Sequence, residues 1–438
     1  MAQIAPFRGI CFNPAQVAVL DQVVSPPYDV INSSLQRTLS ERSPYNVVRL
    51  ILGVSSEEEN DDTRYFRSAS LFDQWQQQQV LCRDEQSAIY LYDQDYNGDN
   101  GERLTRKGFI ALARLEEFAS GMVKPHEQTR FDWCRDRLQL LRHCQANFSP
   151  VFSLYSDPCC VVESITGSVR KTVPDIAVKD DHGVDHRLWR ITDRRLIATI
   201  QNVLDSKPLL IADGHHRYET ALNYRDERRE QQGDFSGKET YNYISMYFSN
   251  MEDPSCRSVS QPRVLTSLTV AEFLQKADEF FMSVPLESDG WAEALAAFDQ
   301  PAAGSAPVLV YGDEGQRWSL RLRDQEGAAQ RFRHLLSCAP SSTHLAILYR
   351  AVVESLLAGS QGDGVASVVP SAAEAICCVD SGQAHGAIFV PALAISTIKD
   401  IANAGEKIPE NSTCFYPSVL SGLVINPIVE GEQIGDFL

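Results

Sequence analysis

The 438-residue chain lacks the signatures of the commonest enzyme classes. It has no phosphate-loop run, dinucleotide glycine fingerprint, Gly-x-Ser-x-Gly elbow, His-Glu-x-x-His pair or kinase signature set, which disfavours the common nucleotide and hydrolase folds. None of its eleven cysteines stands in a Cys-x-x-Cys or Cys-x-x-His pair, and an odd, scattered count argues for free thiols in a reducing compartment. No apolar run approaches transmembrane length, and the opening Met-Ala-Gln-Ile-Ala-Pro-Phe-Arg has neither a charged nor an apolar signal segment, so the expected compartment is the cytoplasm. Positive charge is also scarce. Forty basic against 58 acidic residues leave a net charge of −18, which repels nucleic acid and anionic membranes alike. The one local basic stretch, Arg225, Arg228 and Arg229, is interleaved with Asp226, Glu227 and Glu230 and reads as a solvated helix face.

What is present is ordinary for a globular protein: 43% hydrophobic, 22% charged and 9% aromatic residues, in a chain long enough for two or three cores. Repeats are absent, and low complexity is confined to residues 76–79. Period and turn chemistry predict strands at 47–52, 88–92, 107–115, 151–155, 209–212 and 243–248, alternating with helices at 33–39, 63–79, 132–143, 193–204 and 215–230. The Pro- and Ser-rich segment 251–262 reads as the main boundary. Beyond it the pattern is α+β, with helices at 270–281, 346–357 and 394–404, strands at 308–311, 318–322 and 387–390, and a loop at 359–364. The expected fold class is therefore α/β (α+β), with domains 1–255 and 262–438.

Residues 207–224 concentrate the chemistry. An apolar run of strand length ends at Asp213-Gly214, and Tyr218, Ala221 and Leu222 then follow at helical spacing. The turn between carries His215, His216 and Arg217. A helix N-terminus offers unpaired N–H groups and the positive end of the macrodipole to an anion. Gly214 allows close approach of the backbone, Arg217 can add a bidentate contact, and the two imidazoles titrate near neutrality. The plainer alternative makes Asp213 an N-cap, the histidines surface residues, and Arg217 a partner of Glu219 or Asp226. Clustering of five such residues at the carboxyl end of a strand favours a site.

Other stretches hold chemistry with a structural alternative beside each. Pro26-Pro27-Tyr28-Asp29 is a stiff loop that can aim its Tyr and Asp, or a plain turn. His126 and Glu127 follow a Pro125 loop, where Glu127 could act as general base or simply pair with a neighbour. His182 and His186 are spaced i, i+4 but lack a third ligand, so a metal is not expected there. The loop 411–417 groups Ser412, Thr413 and Tyr416 as an anion pocket or a strand-entry turn. Cys159-Cys160 and Cys377-Cys378 lie in apolar, strand-like runs and read as small core residues.

In order along the chain stand Pro6-Phe7-Arg8-Gly9, Pro26-Pro27-Tyr28-Asp29-Val30-Ile31, Ser43-Pro44-Tyr45-Asn46-Val47-Val48-Arg49-Leu50, Pro125-His126-Glu127-Gln128-Thr129 and Ala146-Asn147-Phe148-Ser149-Pro150. His186-Arg187-Leu188-Trp189, Ala212-Asp213-Gly214-His215-His216-Arg217-Tyr218-Glu219, Tyr247-Phe248-Ser249-Asn250 and Ser421-Gly422-Leu423 follow. With these stretches the chain resembles the domain of unknown function 1015 family nearly end to end. The Asp-Gly-x-His-Arg turn is similar to that of the ParB and sulfiredoxin superfamily, which includes partition proteins, sulfiredoxins and free serine kinases. The resemblance implies a ParB/sulfiredoxin-like N-terminal domain in which Gly214, His216, Arg217 and Arg49 grip the phosphates of ATP or ADP, with Mg²⁺. It makes Glu127, Asp213, His215 and His216 the catalytic candidates. Tyr28, Asp29, His126, Ser412, Thr413 and Tyr416 become the pocket. The sulfiredoxin cysteine is replaced here by histidine, which disfavours that reaction. The second half departs from the pattern, with Ser260-Gln261-Pro262-Arg263, Val369-Pro370-Ser371 and Asn411-Ser412-Thr413-Cys414 where Thr-His-Arg, Thr-His-Asp and Lys-Ser-Thr-Tyr runs are usual.

The expected function is a nucleotide-dependent phosphotransferase acting on the hydroxyl of a small metabolite such as serine. A non-catalytic nucleotide- or phosphate-binding regulator and a phosphoserine phosphatase are the alternatives. The expected partner is a small molecule, neither nucleic acid nor membrane, with homodimerisation left open.

Overall fold

The computed structural model describes residues 3–53, 61–98, 101–260, 262–298, 307–332, 345–358, 366–369, 371–410 and 412–435. The expected loop at 359–364 and positions 261, 370 and 411 of the quoted motifs lie outside the described residues. The fold is mixed α/β. The chain forms two compact units, one of residues 1–125, 129–256 and 417–438, the other of residues 126–128 and 257–416.

The first unit is built on a mixed sheet of nine strands: β1 (Ile4–Ala5), β2 (Ile89–Asn97), β3 (Arg103–Arg114), β4 (Val123–Lys124), β5 (Val151–Tyr155), β6 (Ile176–Lys179), β7 (Asp185–Ile191), β8 (Leu209–Asp213) and β9 (Tyr243–Asn250). Their order is β4-β8-β5-β9-β3-β2-β7-β6, with β1 also paired to β3. The β4/β8 and β5/β9 pairs are parallel and the rest antiparallel. Both faces of the central strands are covered; β9 is buried along its whole length, Ser245, Ser249 and Asn250 included. The sheet ends on a two-residue strand, β4, and on β6, whose side chains alternate buried and exposed.

Helices α1 (Ser33–Arg42), α2 (Val48–Ile51), α3 (Asp61–Gln77), α4 (Phe131–Cys144), α5 (Arg194–Leu204) and α6 (His215–Gln232) cover it. One core gathers Phe109, Phe248, Ile197, Ile200 and Tyr218; a second gathers Trp75, Phe72, Tyr28, Val47, Leu50 and Leu140. The strand expected at 47–52 is the helix α2. A short apolar run buried on all sides has no period to distinguish strand from helix, and here Asn46 decides. Its Oδ1 accepts from Val48 N at 3.0 Å while its Nδ2 donates to Gln22 O and Val24 O, which nucleates the turn.

The second unit has a six-stranded antiparallel sheet: Phe281–Pro285, Arg317–Leu322, Val308–Gly312, Gly386–Phe389, Arg263–Leu265 and Ala366–Val368, in spatial order. The helix expected at 270–281 stops at Ala277, and Phe281 opens a strand. Of the two cysteine pairs, only Cys378 packs against a core. Cys159 is exposed and Cys160 takes a left-handed φ of 48° before a short helix; Cys377 is exposed on the helix Ala372–Asp380. Short apolar stretches beside Asp and Glu were the ambiguity. Among the described residues no helix is long and apolar enough to cross a membrane.

Candidate functional site

The corner between β8 and α6 is a strand-to-helix turn, as its sequence implies. A register shift between Ile211 and Asp213 opposite β5 re-aims Asp213 just before the turn. Gly214 takes φ 89° at the N-cap and, being glycine, brings no side chain of its own to cap the helix it starts. A Cβ at this position would lie 2.8 Å from Arg217 Nε and 2.9 Å from its Cζ, so the glycine is required by its conformation and by the guanidinium laid over it.

Arg217 folds back across this first turn. Only 9% of it is exposed; it donates to Asp213 Oδ2 at 2.6 Å and to Pro150 O, while its buried Nε has no hydrogen-bond partner among the described residues. Burial opposes its charge, but Asp213, Asp29 and Tyr28 outweigh burial and its pKa is raised. Arg217 and Arg137 of α4, 8% exposed, line one cleft of about 60 Å³ together with Tyr28, Asn147, Ser149 and Thr220. Arg137 donates from Nε to Asp136 Oδ2 at 2.7 Å and from NH1 to Ile51 O at 2.7 Å, and its guanidinium lies 4.3 Å over the Tyr28 ring. Two buried guanidiniums, each paired with a neighbouring aspartate, thus stand beside hydroxyl and amide groups on one cleft, the donor types that an anion requires.

Asp29 belongs to the same cluster. Burial, then repulsion from Asp213, pushes its carboxyl up to about 6 against the opposing pull of Arg217. A carboxyl held near neutrality can take or give a proton under working conditions. His216 stands at the edge, its ring 5.7 Å from Trp133, which itself lies 5.7 Å from Tyr28. Its Nε2 accepts from Arg130 N at 2.9 Å, and burial lowers its pKa, so the ring is held neutral with Nε2 unprotonated. His215 is buried in the first turn of α6. Arg49 sits elsewhere: it donates to Ser40 O at 2.6 Å and Ser43 O at 3.3 Å and so caps the end of α1.

The remaining candidates gather in the second unit. Glu127 Oε1 accepts from Thr413 N at 2.9 Å and from Thr413 Oγ1 at 2.8 Å, and His126 Nε2 lies 2.8 Å from the same hydroxyl. Ser412 Oγ donates to Pro409 O, and Tyr416 pairs with Arg257 in a short ladder. Burial, then Arg263, lowers the pKa of the adjacent Arg350 to about 10, against the pull of Glu354 and Glu127.

The structure thus assembles Tyr28, Asp29, Asp213, Gly214, His216 and Arg217 in one unit, and His126, Glu127, Ser412 and Thr413 in the other. Sequence reasoning passed over Arg137, Asn147, Ser149 and Thr220. Arg137 was detectable: it occupies the buried face of α4 with Cys134, Leu140, Leu141 and Cys144, where helical spacing calls for an apolar residue.

The profile of a family described as "Protein of unknown function (DUF1015)" matches residues 4–348. No curated protein matches the chain. Among solved structures it is similar to a mutant free serine kinase in complex with AMP, at 10% identity and TM-score 0.38, over 70% of this chain and 87% of that one. A conserved hypothetical protein from Pyrococcus furiosus is similar at 11% identity and TM-score 0.36, over 71% and 92% of the respective chains. SbnI from Staphylococcus aureus, truncated at its C-terminus, is similar at 10% identity and TM-score 0.36, over 74% and 91%.

Proposed function

The chain belongs to the DUF1015 family of proteins of unknown function, and from that footing we propose that its first unit binds the phosphate of an adenine nucleotide, ATP or ADP, and transfers a phosphoryl group to the hydroxyl of a small metabolite such as free serine. The observation that carries this reading is the pair of buried guanidiniums, Arg137 and Arg217, on one cleft beside a helix start whose N-cap is a glycine. Phosphoryl transfer asks a protein chiefly for positioning and charge neutralisation, which such a lining supplies. In the step proposed, the acceptor oxygen bonds to phosphorus as the bond to the nucleotide's leaving oxygen breaks, and the hydroxyl proton passes to a carboxylate. Asp29, with its carboxyl raised to about 6, is the base we assign in the first unit; Glu127, the base that the family resemblance implies, belongs to the second unit. Gly214 keeps the turn open, and His216, neutral through Nε2, orders the edge with Arg130.

Among the described residues no group of three or more His, Cys, Asp or Glu is arranged to hold a metal ion. Mg²⁺ nevertheless takes one or two carboxylates together with phosphate oxygens, and Asp213 would hold it here, where it would offset phosphate charge and leave Asp29 to take the proton. The wider kinship with the ParB and sulfiredoxin superfamily, a cytoplasmic location and a small-molecule partner instead of nucleic acid or membrane belong to the same proposal, the last supported by the net charge of −18.

Titration calorimetry with ATP, ADP and AMP, with and without Mg²⁺, tests the binding step; Arg217→Met is expected to abolish it, and undiminished binding would refute the assignment. Phosphorus NMR of mixtures with serine and other hydroxyl metabolites tests transfer. One observation favours a second, non-catalytic reading: Arg217 is already ion-paired to Asp213, as in a resting phosphate sensor. Nucleotide binding with no phosphorylated product across the panel would select it.

A further inference from the structure

A second cavity in the first unit, of about 80 Å³, is lined by residues to which no role has yet fallen, among them Arg8, Arg83, Ser87, Thr240, Asn426 and Glu432. Arg8 comes from the Pro6-Phe7-Arg8-Gly9 stretch, and the backbone on either side of it is fixed. Phe7 exchanges hydrogen bonds with Ala88 in both directions at 3.0 Å, and its ring lies 5.2 Å from Tyr90. Gly9 N donates to Tyr90 Oη at 2.8 Å, and a Cβ on Gly9 would lie 2.4 Å from Val424 Cγ1. Clamped so, the chain presents the Arg8 side chain to the cavity.

The Arg8 guanidinium donates from Nε to Asp84 O at 2.9 Å and makes no ion pair among the described residues. Arg83 is better occupied: Nε donates to Arg8 O at 3.2 Å, and NH2 lies 2.5 Å from Glu432 Oε1. Among the described residues, two guanidiniums against one carboxylate leave the lining with an excess of one positive charge. An arginine that keeps its terminal N–H groups uncommitted beside hydroxyl and amide groups matches the planar fork of a compact oxyanion. We propose that this cavity is a second binding site, for a small carboxylate or inorganic phosphate, held by Arg8 and tuned by the Arg83–Glu432 pair. The site is independent of the Arg137–Arg217 cleft and of the function proposed for it.

The test is titration calorimetry of the full-length chain at low ionic strength, with acetate in one arm and inorganic phosphate in the other. Saturable binding in either arm names the oxyanion. Arg8→Gln is expected to weaken it at least about tenfold, the loss of a charged hydrogen-bond donor. Glu432→Gln, which removes the opposing charge and releases Arg83, is expected to tighten it. In the phosphate arm every variant is made in an Arg217→Met background, which removes binding at the first cleft. No binding in either arm, or full binding in Arg8→Gln, overturns the proposal. Should circular dichroism show Arg8→Gln unfolded, the Glu432→Gln arm decides, since unchanged affinity there is also contrary to it.

Discussion

Replacing Gly214 by alanine adds one methyl group at the start of α6, and its effect separates into two parts. The first is conformational: a residue with a Cβ held at φ 89° loses roughly 1–2 kcal/mol relative to glycine. The second is steric and acts through one neighbour, because the three atoms nearest the new Cβ, at 2.8, 2.9 and 3.0 Å, all belong to the Arg217 guanidinium. That group is buried and bonded to Asp213 and Pro150 O, so moving it forfeits a charged hydrogen bond worth about 1.5–3 kcal/mol. Gly214→Ala should therefore destabilise by about 2.5–5 kcal/mol in the parent chain but by only about 1–2 kcal/mol in an Arg217→Met background. Urea denaturation of the parent, both single variants and the double variant closes the cycle. A coupling smaller than about 0.5 kcal/mol would show that Arg217 does not lie over the glycine, and the description of the corner would be wrong.

Four further outcomes can be measured. Asp29, raised from 3.8 to about 6, stabilises the fold below pH 4 relative to neutral pH and loses that contribution as pH rises through 6. Asp29→Asn should accordingly gain stability at pH 7 by up to about 3 kcal/mol and flatten the pH 4–7 profile; an unchanged profile refutes the shift. Nitrogen-15 NMR of labelled histidine should find His216 Nε2 unprotonated at pH 7 with a titration midpoint below 6.5, and a protonated Nε2 would contradict the bond from Arg130. Gly108→Ala drives a methyl to 2.4 Å from both Phe248 O and the Tyr247 ring, so a loss of about 1–3 kcal/mol is expected in thermal or urea melts; tolerance would mean β3 and β9 lie farther apart. If phosphoryl transfer is found, Asp29→Asn should reduce kcat at least about a hundredfold, whereas a loss confined to Glu127→Gln would move the base to the second unit.

Elements with a clear period were legible from sequence. The α6 spacing, the β5 run and the β9 run lie within a few residues of where patterning put them. The failures share a physical cause, since short segments carry too few residues for periodicity to discriminate. Val48–Ile51 is apolar all round, and β7 alternates charged with buried residues so that its histidine spacing drew more notice than its strand pattern. His186 proves to be a fully buried strand residue, with Nδ1 2.7 Å from Tyr92 Oη and Nε2 3.2 Å from Asp180 Oδ2. At the site, the turn 213–217 was visible because its residues are neighbours in sequence. Arg137 and Ser149 join them only through tertiary packing. The return of residues 417–438 to the first unit has no local signal at all, because bonds such as Gln94 Nε2 to Ser418 O span more than three hundred positions.

The nine-stranded sheet closes its two margins with very little unsatisfied ladder. On one side stand two residues, Val123 and Lys124; on the other, four, with Lys179 turned to water. An incoming strand would find few amides to grip and a solvated ammonium in its path, which discourages uncontrolled stacking of partly folded copies. Pairing of two molecules through the margins of this sheet is thereby disfavoured, and cross-linking aimed at them should trap none.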